Sequence, residues 1–458
     1  MSAPVSYARR IGLFSGVMMV IGGIIGAGIF RNPAEVAHRV VTTQLTLLAW
    51  VIGGVIALIG AFCYGELGAR NPRAGGGYVY LRDAFGELPA FLYAWTLLLV
   101  IATGAIAGVA VTFANYTVAL FGLDPKTTVP LAIGAILLLS AVNYLGVKPG
   151  AVTQNIFTVL KLVPLAILIV AGIFLAHRSG ATPVAVVPPI AAPTGAVGIV
   201  VAIGWALVPI LFSYGGWQQT NFIGEEIIDA PKNLPRAILL GVLAVVTIYL
   251  LANVAYIRAL GITGLAASTA PAADAMTRTL GTTGGTIIAA GIAISTFGFL
   301  NLVILVSPRV YQAMAADGLF FPRMARLHPR YRTPTAAILF QAGWAIVLTL
   351  TGKYGDLVDY VVFGDWIFFG LTAATLYVFR ARDTRAGIDP APAGSFRTLG
   401  YPVTPALFCL AAAYVVLSSV RSNPSNTLKG AALIGLGIPV FLFWRSRRQT
   451  AQNENPKP

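Results

Sequence analysis

Apolar residues fill the chain in long runs separated by short polar connections. A helix needs about 20 apolar residues to cross a bilayer core. The runs predict twelve such helices, at 11–40, 45–69, 88–121, 129–145, 150–176, 196–225, 236–260, 284–315, 334–350, 355–379, 402–420 and 428–444. Two of them are interrupted. The first contains MMVIGGIIGAGIFRNP (18–33), and the sixth contains FSYGGWQQ (212–219). Glycine costs a helix interior about 1 kcal/mol relative to alanine and admits non-helical backbone. Gly22 and Gly23 are read as close-packing positions between helices. Gly26-Ala27-Gly28 and Gly215-Gly216 are read as helix breaks, because clusters in corresponding positions of two halves mark a binding site at membrane mid-depth.

Composition supports the pattern. With 57% hydrophobic and 10% charged residues and a mean hydropathy of +0.80, the chain falls far below the roughly 25% charge of soluble domains. The reading is a single all-α integral membrane domain. The net charge of +15 is not a nucleic-acid footprint, since most of the 31 Lys and Arg sit in the short connections. Their bias places both termini in the cytoplasm of a multi-pass cell-membrane protein. The first and sixth spans then cross in opposite directions. Residues 11–176 and 196–379 read as an inverted five-plus-five repeat, and 402–444 as two peripheral helices. The proline-rich stretch 182–193 reads as an extended loop. No cleavable leader is visible. Cys63 and Cys409 lie in apolar runs and lack disulfide or metal spacing, so no metal and no cofactor is expected. His38, His177 and His328 are scattered near span ends and read as interfacial. Gly75-Gly76-Gly77 lacks a following GK[ST], which excludes a nucleotide loop.

A broken helix presents free N–H groups at one end of the break and free carbonyls at the other, each with a dipole end of matching sign. In the first span the amides of Gly28, Ile29 and Phe30 are expected to face a carboxylate. Carbonyls of Ile24, Ile25 and Gly26, with those of Phe212 and Ser213, are expected to face an ammonium. Two such poles fit the zwitterion of a free amino acid. Neither break contains Asp or Glu, which leaves an apolar pocket for an uncharged side chain.

The runs GGIIGAGIFRNP (22–33), YGELGARNPRAGGGYVYLRDAFG (64–86), FSYGGWQQTNFIGEE (212–226) and ISTFGFLNLVILVSPRVYQAMAADGLFFP (294–322) resemble the amino acid–polyamine–organocation transporters, and within them the L-type amino-acid transporters. The resemblance runs from the first span to the twelfth. It implies twelve transmembrane helices in a LeuT-like five-plus-five inverted repeat, with a short re-entrant helix at the Gly75 loop. It implies that Ala27, Gly28 and Ile29 form the carboxylate-binding turn, that Phe212 is an aromatic gate, and that Ser213, Gly215 and Gly216 form the sixth-span break. Ala27 stands where the L-type pattern has Ser or Thr, and Gln218 where Asn is common.

Lys161 lies too deep in its span to reach the surface, and an ionisable group at that depth marks a functional site. The resemblance places it where sodium-coupled relatives hold a cation, tying the first-span carbonyls to Ser295 and Thr296. Tyr249 and Asn253 are weaker candidates for the same network. Together these features imply a sodium-independent secondary transporter of neutral L-amino acids. Exchange and proton symport both remain open, and a membrane amino-acid sensor is a third reading. No nucleophile–base or metal cluster lies at membrane depth, which speaks against an enzyme. The bilayer and a small-molecule substrate are the expected partners. The loop GLDPKTT (122–128) has no cysteine, whereas the resemblance implies a linking cysteine there in partnered relatives, so no obligatory heavy chain is expected.

Overall fold

The computed structural model describes residues 5–176, 195–352, 354–389, 395–422 and 424–454. Among them, nine helices, or ten with one bent pair counted, are long and apolar enough to cross a membrane. Thr335–Thr351 and Tyr354–Arg385 bring the set to twelve. An even number of crossings leaves both ends of the chain on one side, here called the terminal face. The expected proline-rich loop 182–193 and His177 lie outside the described residues.

The first span is broken as expected. Leu13–Ile24 and Gly28–Val40 meet at 46°, because Ile25 turns extended (φ −73, ψ 94). The sixth is Gly195–Ser213, a turn at 214–216, and then Trp217–Glu226, which winds as a 3₁₀-helix. Runs of 3₁₀ beyond three or four residues are uncommon and mark hinges. Gly216 makes the turn with φ +109, and a Cβ there would lie 2.2 Å from the Gly23 carbonyl oxygen. The two breaks therefore interlock backbone to backbone.

Other spans exceed their apolar runs. The seventh is Ala230–Ala267, kinked at Gly261, and the eighth begins at Pro271 and kinks at Gly281. The third, Glu87–Phe121, carries a π-helical turn at Leu97–Ile101. A short helix, Gly77–Phe85, follows the glycine loop. The twelfth is bent near its middle, as Pro424–Gly435 followed by Gly437–Glu454.

The second span packs on the seventh, the third on the eighth, and the fifth on the eighth as the third does on the tenth. Such pairings map onto one another under an offset of five spans, as the inverted-repeat architecture requires. The eleventh span, Val403–Ser422, is less peripheral than expected. It packs on the second and tenth, and buried Phe408 sets its ring 6.0 Å from that of Trp217 at the sixth-span break.

The interlock predicts a sharp contrast between two glycines. Gly216→Ala adds a methyl in a left-handed conformation against backbone, at a cost of about 1–3 kcal/mol before the clash is counted. Gly26→Ala meets nothing closer than 3.9 Å. The monodisperse yield after detergent extraction should collapse for Gly216→Ala and stay near wild type for Gly26→Ala. Equal yields would refute the interlock.

Candidate functional site at the two helix breaks

The last carbonyls of Leu13–Ile24 have no intrahelical donors, and lipid supplies none. Other spans supply them. Lys161 Nζ donates to Gly22 O at 3.0 Å and Ile25 O at 2.8 Å. Ser295 Oγ donates to Ile25 O at 3.2 Å, and Tyr249 OH to Ile24 O at 3.0 Å. Gly23 O is covered by the backbone of Gly216. Ile25, expected to offer its carbonyl to a ligand, thus has both lone pairs engaged by protein. It belongs with Lys161, Ser295 and Tyr249, all fully buried. Thr296 does not join them. Its hydroxyl returns to Ile292 O (2.8 Å) and Ala293 O (2.9 Å) of its own helix. Asn253 likewise bonds back to Tyr249 O at 2.8 Å.

The amide end of the break is different. The first intrahelical bond of the outer half runs from Phe30 N to Ala27 O, so the Gly26, Ala27 and Gly28 amides precede it. Ala27 is exposed, with Gly26 and Gly28 half-buried. The backbone of Ser213 closes one side, since a Cβ on Gly28 would lie 3.1 Å from its Cα. Ser213 Oγ donates to Pro209 O and accepts from Asn32 Nδ2, each at 2.8 Å. Phe212, the expected gate, is 44% exposed. Gly215 N closes a tight turn onto Phe212 O at 3.2 Å. Gln218 Oε1 accepts from Gly216 N at 3.0 Å, so this side chain caps the break. The exposed Ala27 turn of the first span and the Phe212–Gly216 turn of the sixth therefore lie side by side.

Two prolines explain residues that the sequence reading missed. Pro33 has no N–H to offer Ile29 O, and Tyr256 OH donates to it at 3.2 Å. Pro209 leaves Trp205 O without its helical donor, and Arg39 Nη1 takes that carbonyl. Trp50 and Tyr214 were also unmarked. With Tyr249 they form an aromatic cluster behind the break, ring centroids 5.2–5.8 Å apart, with Trp50 edge-on to both tyrosines.

The terminal face is closed. Glu226 and Arg309 form a fully buried pair at 2.7 Å, and the Arg10 and Ile11 amides donate to Glu226 O. Tyr7 lies beneath this pair with Arg309 5.9 Å from its ring. Burial pushes its hydroxyl well above the ordinary range, partly offset by the Arg309 charge. Among the described residues no group of His, Cys, Asp or Glu has metal-site geometry.

A family model described as "Amino acid permease" matches residues 11–442. The b(0,+)-type amino acid transporter 1 of Homo sapiens is 34% identical over 443 residues, covering 96% of this chain and 88% of that protein. The large neutral amino acids transporter small subunit 2 of Mus musculus is 33% identical over 455 residues, covering 97% and 83%. The rabbit (Oryctolagus cuniculus) form of that small subunit is likewise 33% identical over 455 residues. These names overturn the expectation of no heavy-chain partner, because relatives along nearly the whole chain are subunits of larger assemblies. Its premise was too narrow. A missing cysteine in 122–128 bears only on a covalent link, and subunits also dock through non-covalent surfaces.

The carbonyl network makes a graded prediction. Tyr249→Phe strands Ile24 O in the interior, which costs about 1–3 kcal/mol. Ser295→Ala costs about 1 kcal/mol, because Ile25 O keeps Lys161. Thr296→Val leaves the break untouched and should be near neutral. Melting temperatures in detergent should fall in the order Thr296→Val, Ser295→Ala, Tyr249→Phe, with Tyr249→Phe the lowest. A Thr296→Val loss as large as that of Tyr249→Phe would contradict the assignment.

Proposed function

The chain belongs to the amino acid permease family, and from that premise we propose that it is a sodium-independent transporter of neutral L-amino acids working by exchange. The relatives named above are amino-acid transporters. The proposed substrate site is the recess between the breaks, with the α-carboxylate on the Gly26, Ala27, Gly28 and Ile29 amides and the α-ammonium near the carbonyls of Phe212 and Ser213. Neither 22–31 nor 209–221 holds an Asp or Glu to recognise a cationic side chain. The turn of Gly215 and Gly216 sets the depth of the recess, and Phe212 closes it.

The observation that carries sodium independence is the seat of Lys161. Its ammonium already bridges the carbonyls of Gly22 and Ile25. A sodium ion 4 Å away would meet a repulsion of roughly 4 kcal/mol at an effective dielectric of about 20. That corresponds to about a thousandfold weaker binding. A proton-symport reading is supported by one further feature. Among the described residues, Lys161 has no carboxylate partner, so release of its proton would remove the charge and leave only a neutral amine's weaker N–H donors on the two carbonyls. In either reading the proposed inverted repeats are 11–176 and 196–379. The concentration of arginine on the terminal face supports a cytoplasmic location for that face in the cell membrane.

Purified protein in liposomes tests this reading. Counterflow of alanine, serine or leucine should persist when choline replaces sodium and no pH gradient is present, with little net uptake into empty vesicles. Sodium stimulation at constant pH would overturn it, as would preference for arginine or lysine. Uptake that needs an inward proton gradient would select symport. Phe212→Ala should lower flux about tenfold at unchanged yield, through loss of the lid that excludes water.

A further inference from the structure

A cavity of about 440 Å³ lies far from the breaks, between the start of the third span and the twelfth. Its walls are Phe85, Leu88, Pro89, Phe441 and Leu442, and Arg445 stands at its rim. Phe85 and Leu442 are 40% and 55% exposed, so the crevice opens sideways at the membrane surface of the terminal face. Its charge is unbalanced. Glu87 lines the same cavity, but Arg448 neutralises it bidentately, with Nη1–Oε1 2.8 Å and Nη2–Oε2 2.9 Å. Arg445 has no ion pair or hydrogen bond among the described residues; it rests 6.0 Å from the Phe441 ring and acts on Glu87 only at longer range, so two guanidinium charges face one carboxylate. An apolar slot at interface depth, ending in an unpaired guanidinium, has the complementarity of a lipid with an anionic head. A guanidinium is the cation best matched to phosphate.

We propose that this crevice binds one anionic phospholipid of the leaflet at the terminal face. The acyl chain lies along Phe85, Leu88, Pro89 and Leu442, and the phosphate sits on Arg445. A zwitterionic lipid offers the same chain but cancels its own phosphate charge, so the site discriminates by head group. One arginine near a membrane surface contributes an energy equivalent to about a fivefold preference.

Native mass spectrometry tests this with full-length protein extracted from vesicles of equal parts phosphatidylglycerol and phosphatidylcholine. Wild type should retain phosphatidylglycerol preferentially. Arg445→Gln should lower that preference about fivefold, Arg445→Lys should retain part of it, and Leu442→Trp should lose it by filling the slot while keeping the charge. Inorganic phosphate added at extraction should not displace the lipid. Equal retention of both lipids by wild type and variants would overturn the proposal. Displacement by inorganic phosphate would also overturn it, since the site would then be for a free anion. Should Arg445→Gln fail to elute as a monodisperse species, Arg445→Lys and Leu442→Trp decide between the same outcomes.

Discussion

Breaking a helix inside a bilayer strands backbone carbonyls at one end and amides at the other, in a medium with no water to satisfy them. The structure answers that constraint unevenly. The carbonyl end of the first-span break is bonded by side chains of the fifth, seventh and eighth spans and packed against the backbone of the sixth. The amide end is left open beside an exposed Ala27. One terminus of the break is thus held by other spans, and the other stays exposed. Replacing Lys161 would remove donors from two carbonyls in two different turns, so its effect reaches well beyond a single contact.

Much of this was legible in the sequence. Run length gave the spans, paired glycines gave the breaks, and an ionisable residue at mid-depth pointed to the side chain that bonds the first-span carbonyls. Ser295 and Thr296 looked equivalent, and only Ser295 reaches the break. Neighbouring residues on a helix point about 100° apart, so a single face cannot present both. Tyr256 was missed although its signal was present: Pro33 guarantees an orphan carbonyl at Ile29. Phe408 carried no signal, because an aromatic residue that packs on Trp217 reads like one that faces lipid. The 3₁₀ winding of Trp217–Glu226 was equally hidden. Over ten mixed polar residues, periods of 3.0 and 3.6 are not distinguishable.

The outer halves of both broken spans contain a proline, and in each the freed carbonyl is claimed by a side chain from another span. Tyr256 ties the first to the seventh, and Arg39 ties the sixth to the first. With Asn32 on Ser213 and Pro209, these bonds join the two outer halves into one unit. The inner ends are joined separately, through the amides of Arg10 and Ile11 on Glu226 and through the Arg309 pair. The breaks are where the two units meet, and no hydrogen bond along a helix crosses either of them.

The 3₁₀ winding also fixes a length. At about 2.0 Å per residue, the six residues Trp217–Phe222 that precede the non-helical Ile223 (φ −106, ψ 18) reach about 12 Å, whereas an α-helix of the same residues reaches about 9 Å. The lower half of the sixth span is therefore stretched. That extra reach brings Glu226 down to Arg309 and the amides of Arg10 and Ile11. Rewinding as α-helix would shorten this stretch by about 3 Å and draw the carboxylate off its guanidinium without moving the upper half. A change of pitch within six residues would loosen the terminal face as a screw does, by turning rather than by swinging a rigid rod.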